Sequence, residues 1–241
     1  MDYNYTLLIA SFLKRPNRFL AHVLLDGEEV VAHVPNTGRL GELLVPGAKV
    51  AISHHPEAHR KTKYSLRMAM KNETWFSLDS QIPNDLVEEA LKKQTIPFDG
   101  SIKEIKREQK FGQSRFDLKV TDTEGQVTYI EVKGVTLESQ GLSMFPDAPT
   151  TRGTKHVREL KEAVEAGHKG RVIFVLQFEG AQCFRPHWER DTNFCQALVD
   201  ASKAGVSIEA YSCQVGLEST VITTGVPVSL EPQNIEKKQK E

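Results

Sequence analysis

The sequence is poor in cysteine, in long apolar runs and in any surplus of one charge. Three cysteines, Cys183, Cys195 and Cys213, occur in 241 residues, none at C-x-x-C spacing. An odd number cannot all pair within the chain, so a disulfide framework finds no support and a reduced, cytoplasmic state is expected. The longest uninterrupted apolar run, Val172 to Leu176, has five residues, where a bilayer crossing needs about 20. No membrane span is expected. The opening Met1-Asp2-Tyr3-Asn4-Tyr5 is acidic where a secretory signal is basic, and Lys14-Arg15-Pro16 follows the first apolar stretch without a small-residue cleavage site. Lysine plus arginine number 31 against 32 acidic residues, a net charge of −1. A uniformly basic coat is therefore excluded, and only a local basic patch stays open. The 39% hydrophobic and 26% charged content is that of an ordinary globular chain, and the length allows one large domain or two small ones.

Charge is nonetheless placed unevenly. Residues 1–75 carry ten basic and seven acidic side chains, with Arg60, Lys61, Lys63, Arg67 and Lys71 crowded into one stretch. This part reads as five or six short strands without an amphipathic helix. Thr6–Phe12 and Arg18–Leu25 are extended and apolar, Asp26-Gly27 signals a hairpin, and Glu28–Val34, Lys49–Ser53, Tyr64–Met70 and Thr74–Leu78 follow. The count suggests a small barrel of the OB type, with an SH3-like barrel as the alternative. After Ile82-Pro83-Asn84 the pattern changes. Asp85 and Glu88 read as a capping pair opening a helix that Pro97 ends, and strands are expected at Ile102–Phe111, Ser114–Thr121 and Val127–Leu137. A helix over Thr154–Ala166, a doubly buried strand at Arg171–Phe178, a helix over Asp191–Ala204 and a last strand at Val206–Val215 complete a mixed sheet flanked by helices. The expected domains are 1–80, a barrel, and 81–231, a mixed α/β domain, with a charged tail over 232–241.

The chemistry-bearing residues lie on two of these strands. Alternation puts Glu131 and Lys133 on one face, with Ile130 and Val132 inward. On the preceding strand Phe116, Leu118 and Val120 are expected inward, leaving Asp117 on the polar face. Two carboxylates and the Val132 carbonyl would offer hard oxygen ligands to Mg²⁺ (or Mn²⁺), and Lys133 would stabilise charge on a phosphate or orient a water. D-x(n)-E-x-K alone is a weak pattern, since exposed Glu and Lys often pair across strands. Its place after a helix, with a helix and a buried strand next, is the order of the restriction-endonuclease-like nucleases with their PD-(D/E)xK motif. Helical geometry does not choose between Glu88 and Glu89 as an upstream acid; Glu108 is a further candidate. Arg152 and Lys155 stand where the helix N-terminus would receive a phosphate. His156 reads as a structural histidine and Asp147 as a turn cap. In the barrel, Arg60, Lys61, Lys63 and Arg67 interleave with Tyr64, near Trp75 and Phe76, as in OB folds that hold single strands. Arg15, Asn17, Arg18 and Arg39 extend this surface. His54, His55 and His59 lack acidic or cysteine partners at zinc spacing.

Several long strings carry a resemblance. They are Pro35-Asn36-Thr37-Gly38, Lys110-Phe111-Gly112 leading to Ser114-Arg115-Phe116-Asp117, Tyr129 to Leu137, Phe145-Pro146-Asp147-Ala148, and Arg152-Gly153-x-Lys155-His156-x-Arg158-Glu159-Leu160. Through nearly its whole length the chain resembles the bacterial sugar fermentation stimulation protein A (SfsA) family. The resemblance implies an N-terminal OB-like domain, a C-terminal nuclease-like domain and DNA binding with little sequence preference. It also favours Glu89 as the upstream acid. Gly134 stands where the family pattern has serine. The expectation is thus a DNA-binding protein, on single- or double-stranded DNA, with a Mg²⁺-dependent site of phosphodiester hydrolysis. A non-catalytic DNA-binding regulator of sugar metabolism genes and a sensor of a phosphorylated metabolite or nucleotide are the alternatives. A homodimer is left open.

Overall fold

The computed structural model describes residues 1–57 and 60–232; His59 and the stretch 233–241 of the expected tail lie outside them. The first six strands are β1 (Leu7–Asn17), β2 (Leu20–Leu25), β3 (Glu28–His33), β4 (Lys49–His54), β5 (Tyr64–Lys71) and β6 (Thr74–Ser77). β1 pairs antiparallel with both β2 and β4, β2 with β3, and β4 with β5. A short parallel pairing of Ala32 with Tyr64 and His33 with Ser65 closes the ring. The resulting five-stranded order, 1-2-3-5-4-1, is an OB barrel, which decides against the SH3 alternative. Asp26 and Gly27 both take positive φ, as the tight β2–β3 hairpin requires. Phe12, Val23, Val50, Ile52 and Leu66 fill the interior.

Three helices and nine strands follow: α1 (Ile82–Lys92), β7 (Ile102–Phe111), β8 (Ser114–Asp122), β9 (Val127–Val135), β10 (Glu138–Ser139), β11 (Leu142–Phe145), α2 (Thr151–Glu165), β12 (Lys169–Leu176), β13 (Cys183–Pro186), α3 (Thr192–Lys203), β14 (Ser207–Val215) and β15 (Thr220–Val226). The main sheet has the order β15-β14-β12-β9-β8-β7. Its centre, β9, β12 and β14, is parallel and its flanks are antiparallel. α1 packs on one face, α2 and α3 on the other. Being covered on both sides explains the unbroken apolar run of β12, whose Val172–Leu176 are fully buried. None of these helices is long and apolar enough to cross a membrane.

Several boundaries move. α1 begins at Ile82 with Pro83 in its first turn, so Asp85 is not its cap, and it stops at Lys92 rather than running to Pro97. α2 starts at Thr151 because the Thr150 hydroxyl accepts from the Gly153 N–H at 3.1 Å. The strand expected to be last is followed by β15, and a small sheet, β10-β11-β13, lies in stretches for which no strand is expected. Strands of two to four residues carry too little alternation to register in a sequence. One buried cluster spans barrel and sheet: the Phe76 and Phe178 rings stack at 4.4 Å, and the Ser77 N–H donates to the Gln177 carbonyl at 2.9 Å.

Candidate metal and nucleic-acid site

β8 and β9 pair from Thr121/Val127 to Leu118/Ile130 and then part. One step further, Asp117 would face Glu131. Instead the Asp117 carboxylate fills the opening: Oδ2 accepts from the Val132 N–H at 2.8 Å and Oδ1 from the Asn84 amide at 3.0 Å. A side chain thus satisfies a backbone donor that the ladder has released. β7 is distorted at the same level. Glu108, between the pairs Arg107/Leu118 and Gln109/Phe116, has φ of 53°, a left-handed conformation uncommon outside glycine. The kink splits the expected inward row. Leu118 and Val120 pack on the α1 side, whereas Phe116 packs on the α2 side, against Tyr129 and His156.

Glu131 is only 2% exposed. Its Oε1 receives both the Lys133 amine and His156 Nδ1, the latter at 2.6 Å, while Oε2 is buried with no hydrogen-bond partner. The two carboxyls shift in opposite directions. Burial, reinforced by the Glu131 charge, raises Asp117 above the usual carboxylate range despite its two hydrogen bonds. Burial pushes Glu131 upward too, but the hydrogen bond from His156 and the charge of Lys133 outweigh it and leave Glu131 lowered. One acid is lowered by its partners, and its neighbour is raised by burial and by that nearby charge.

Asp117, Glu131 and Lys133 therefore come together; Glu89 does not join them. Its carboxylate pairs with the Met1 amine at 2.7 Å and with Lys93, and five residues turn it about 140° from Asn84 on α1. Glu88 is engaged by Arg107 and Lys92. The α1 residue that reaches Asp117 is Asn84, which nothing in its sequence context marks. Val132 contributes its N–H to Asp117. Among the described residues no three His, Cys, Asp or Glu side chains cluster as a metal set. His55 bonds Ser53 and His54 leans on Tyr64. Gly134 has its own explanation. A Cβ there would lie 2.5 Å from Gln177 Oε1, and Gln177 is a buried tie whose amide donates to the Asp79 carbonyl at 3.0 Å. The space a serine side chain would need is taken by Gln177. Burial pushes the Cys195 and Cys213 thiols up to about 12, as expected of structural cysteines.

The basic residues divide into braces and free cations. Arg15 spends its guanidinium on four carbonyls, those of Arg18, Asn36, Gly38 and Arg39, at 2.7–2.9 Å. Arg67 pairs with the buried Asp79, bonds Ser53 and covers the Tyr5 ring. Arg60 bonds Ser65 at 2.8 Å. Phe76 is buried and offers no stacking platform. Lys61 and Lys63 are exposed, and Tyr64 is half-buried. Arg18 and Arg39, also exposed, line a groove of about 670 Å³ between the barrel rim and the Phe145–Thr150 loop. Asp147 of that loop accepts from the Arg39 N–H at 3.2 Å, a contact from one part of the molecule to the other. Arg152 and Lys155 are exposed on the first turns of α2. Arg152 Nε lies 3.5 Å from His156 Nε2, so the α2 cations flank the histidine that holds Glu131.

Comparison with known proteins agrees with this architecture. Residues 81–219 match the family model described as the sugar fermentation stimulation protein RE domain, and residues 13–78 match the SfsA N-terminal OB domain. A sugar fermentation stimulation protein homolog of Clostridium novyi is 49% identical over 224 residues, covering 93% of this chain and 98% of its own. The Clostridium tetani homolog is 48% identical, with 92% and 96% covered. Among solved structures, that of Pyrococcus furiosus SfsA in complex with Ca²⁺ superposes with a TM-score of 0.85 at 27% identity, over 95% of this chain and 98% of that one. With both parts of the chain matched in order and close relatives along almost all of it, the chain belongs to the sugar fermentation stimulation protein (SfsA) family.

Proposed function

We propose that this protein binds DNA with little sequence preference and hydrolyses its phosphodiester bonds at a divalent cation held by Asp117 and Glu131. The observation that carries the reading is the buried, unpartnered Oε2 of Glu131 beside a carboxylate whose pKa its charge raises. A hard cation would satisfy that orphan oxygen and relieve the repulsion, so the donor set fits Mg²⁺ or Mn²⁺. The Ca²⁺ bound by the Pyrococcus furiosus relative belongs to the same oxygen-seeking class. The Val132 carbonyl would be a third ligand. When bound, the ion supplies Lewis-acid stabilisation of the scissile phosphate.

The chain's own groups do the rest. His156 fixes the Glu131 carboxylate through Oε1, leaving Oε2 for the ion. Asn84 and the Val132 N–H orient Asp117. The Lys133 amine, anchored on Glu131, stabilises charge developing on the phosphate oxygens or orients the attacking water. Arg152 and Lys155 hold flanking phosphates. Arg18 and Arg39 at the groove and Arg60, Lys61, Lys63 and Tyr64 on the barrel hold the strand further out. Arg15 and Arg67 serve by shaping the loops that carry these contacts.

A second reading has an observation of its own. The Lys133 amine already pairs with Glu131, and His156 bonds it, without an ion, as would suit a protein that binds DNA and does not cut it. Titrating Mn²⁺ into wild type and Asp117→Ala, with cleavage of single- and double-stranded DNA followed in parallel, separates the two. The hydrolytic reading expects Mn²⁺ binding and cleavage that the variant loses. Cleavage that survives in Asp117→Ala sinks it, and tight DNA binding with neither Mn²⁺ uptake nor cleavage leaves the regulator.

A further inference from the structure

We infer that the tip of the β7–β8 hairpin is a phosphate clamp, with Lys110 and Arg115 gripping the nucleic-acid backbone beside the Asp117–Glu131 site; this rests on the nucleic-acid reading above. The two residues stand directly opposite one another in the strand ladder, and both are exposed. Like charges facing across a strand pair repel, so the arrangement is costly unless an anion sits between them. Two of the hairpin's other basic side chains show how such charge is otherwise managed, whereas Lys119, opposite Lys106, has no acidic partner among the described residues. Lys106 pairs with Glu104 at 3.0 Å, and Arg107 is taken by Asp85 and Glu88. Arg115 has only a loose contact with Glu108 at 3.5 Å, and among the described residues Lys110 has no acidic partner.

The tip is anchored where such a clamp would be needed. The Phe111 ring packs 5.3 Å from Tyr129 and 5.7 Å from His168. Gly112 turns the chain with φ of 57°, and a side chain there would begin 3.4 Å from Glu159 Oε2. Glu159 in turn meets Lys155 at 3.5 Å. The tip is thus seated on the helix that carries Lys155 and His156, and Arg115 lies two residues before Asp117. Lys110 and Arg115 on the hairpin tip and Lys155 on the helix that the tip touches are the cations of the rim inferred here. A phosphate between Lys110 and Arg115 converts their repulsion into charge-assisted hydrogen bonds.

The test uses the full chain and a fluorescent DNA duplex, with affinity read by anisotropy without divalent cations. Lys110→Ala/Arg115→Ala is expected to bind about tenfold more weakly, and its log–log salt slope to fall by about 0.9 between about 50 and 200 mM KCl, as for one phosphate released. Lys103→Ala/Lys203→Ala removes the same charge away from the rim and should bind as wild type does. Lys110→Glu, which sets an acid opposite Arg115, should raise the melting temperature while weakening DNA binding. Wild-type affinity and salt slope in the double alanine variant would overturn the clamp and leave the DNA reading standing. A fall in both melting temperature and affinity in Lys110→Glu would also overturn it, because the pair would then support the fold. Absence of salt-dependent DNA affinity in wild type would remove the functional reading and the clamp with it.

Discussion

Arg15 and Arg67 in the barrel and Asp117 and Glu131 in the second domain are all charged groups drawn away from solvent, yet they are satisfied in opposite ways. Each barrel arginine is held at both terminal nitrogens, the buried Nε of Arg15 alone lacking a partner. Arg15 holds four carbonyls of two loops, and Arg67 holds a buried carboxylate, a hydroxyl and an aromatic face. The acids of the second domain are left short: one oxygen of Glu131 has no partner, and burial and the Glu131 charge raise the pKa of Asp117. A charged group bonded from several sides by its own chain stabilises a fold. Charge left incomplete in a buried place is a place for a ligand.

Arg67→Ala should break the barrel side of this comparison with the largest effect. It strands Asp79, only 4% exposed, and should cost about 3–5 kcal/mol in urea unfolding. An unchanged midpoint would return Arg67 to the pool of free cations. Asp117→Asn should lower cleavage and Mn²⁺ uptake by roughly 10²–10³-fold. The same change should raise stability at neutral pH, since it removes a carboxylate whose pKa folding raises. The folded state then binds more protons than the unfolded one just above the ordinary carboxylate range. The wild-type deficit should therefore shrink as pH falls through the raised Asp117 pKa. Glu131, lowered on folding, contributes stability that is lost as pH falls below the ordinary range. Melting curves of wild type, Asp117→Asn and Glu131→Gln between neutral and acid pH would show these opposite slopes.

His156→Ala should weaken Mn²⁺ binding by about 10–100-fold, with partial recovery in His156→Gln, because the histidine orients a ligand rather than supplying one. Calorimetric titration distinguishes this from a packing loss, which would lower the melting temperature and spare the affinity. Lys61→Ala/Lys63→Ala is the smallest change. Stability should stay within about 0.5 kcal/mol, as for exposed residues away from special features, while DNA affinity falls modestly and the salt slope drops by about 1.8.

Much of the architecture was legible because it is written in periodicity. The Asp26-Gly27 hairpin, the alternation of β8 and β9 and the apolar run of β12 each follow from local chemistry, and their boundaries shift by a few residues at most. The site was legible in part. Asp117, Glu131 and Lys133 sit on the two adjacent strands of one hairpin, so alternation alone nearly brings them together. Asn84 was not legible, because reaching Asp117 depends on how α1 crosses the sheet. Glu88 and Glu89 illustrate the same limit. Each lies at a similar angle from the apolar arc of α1, and the neighbours that claim them, Arg107 and Met1, come from distant parts of the chain.

The order of strands and helices, their apolar faces and the acidic pair with its lysine were determined by the sequence itself, since alternation, helical period and turn chemistry act between near neighbours. The parting of β8 from β9, the seating of His156 on Glu131 and the division of arginines into braces and free cations were decided only by tertiary structure. Whether a charged group finds all its partners depends on which distant segments packing carries to it, and no local pattern encodes that.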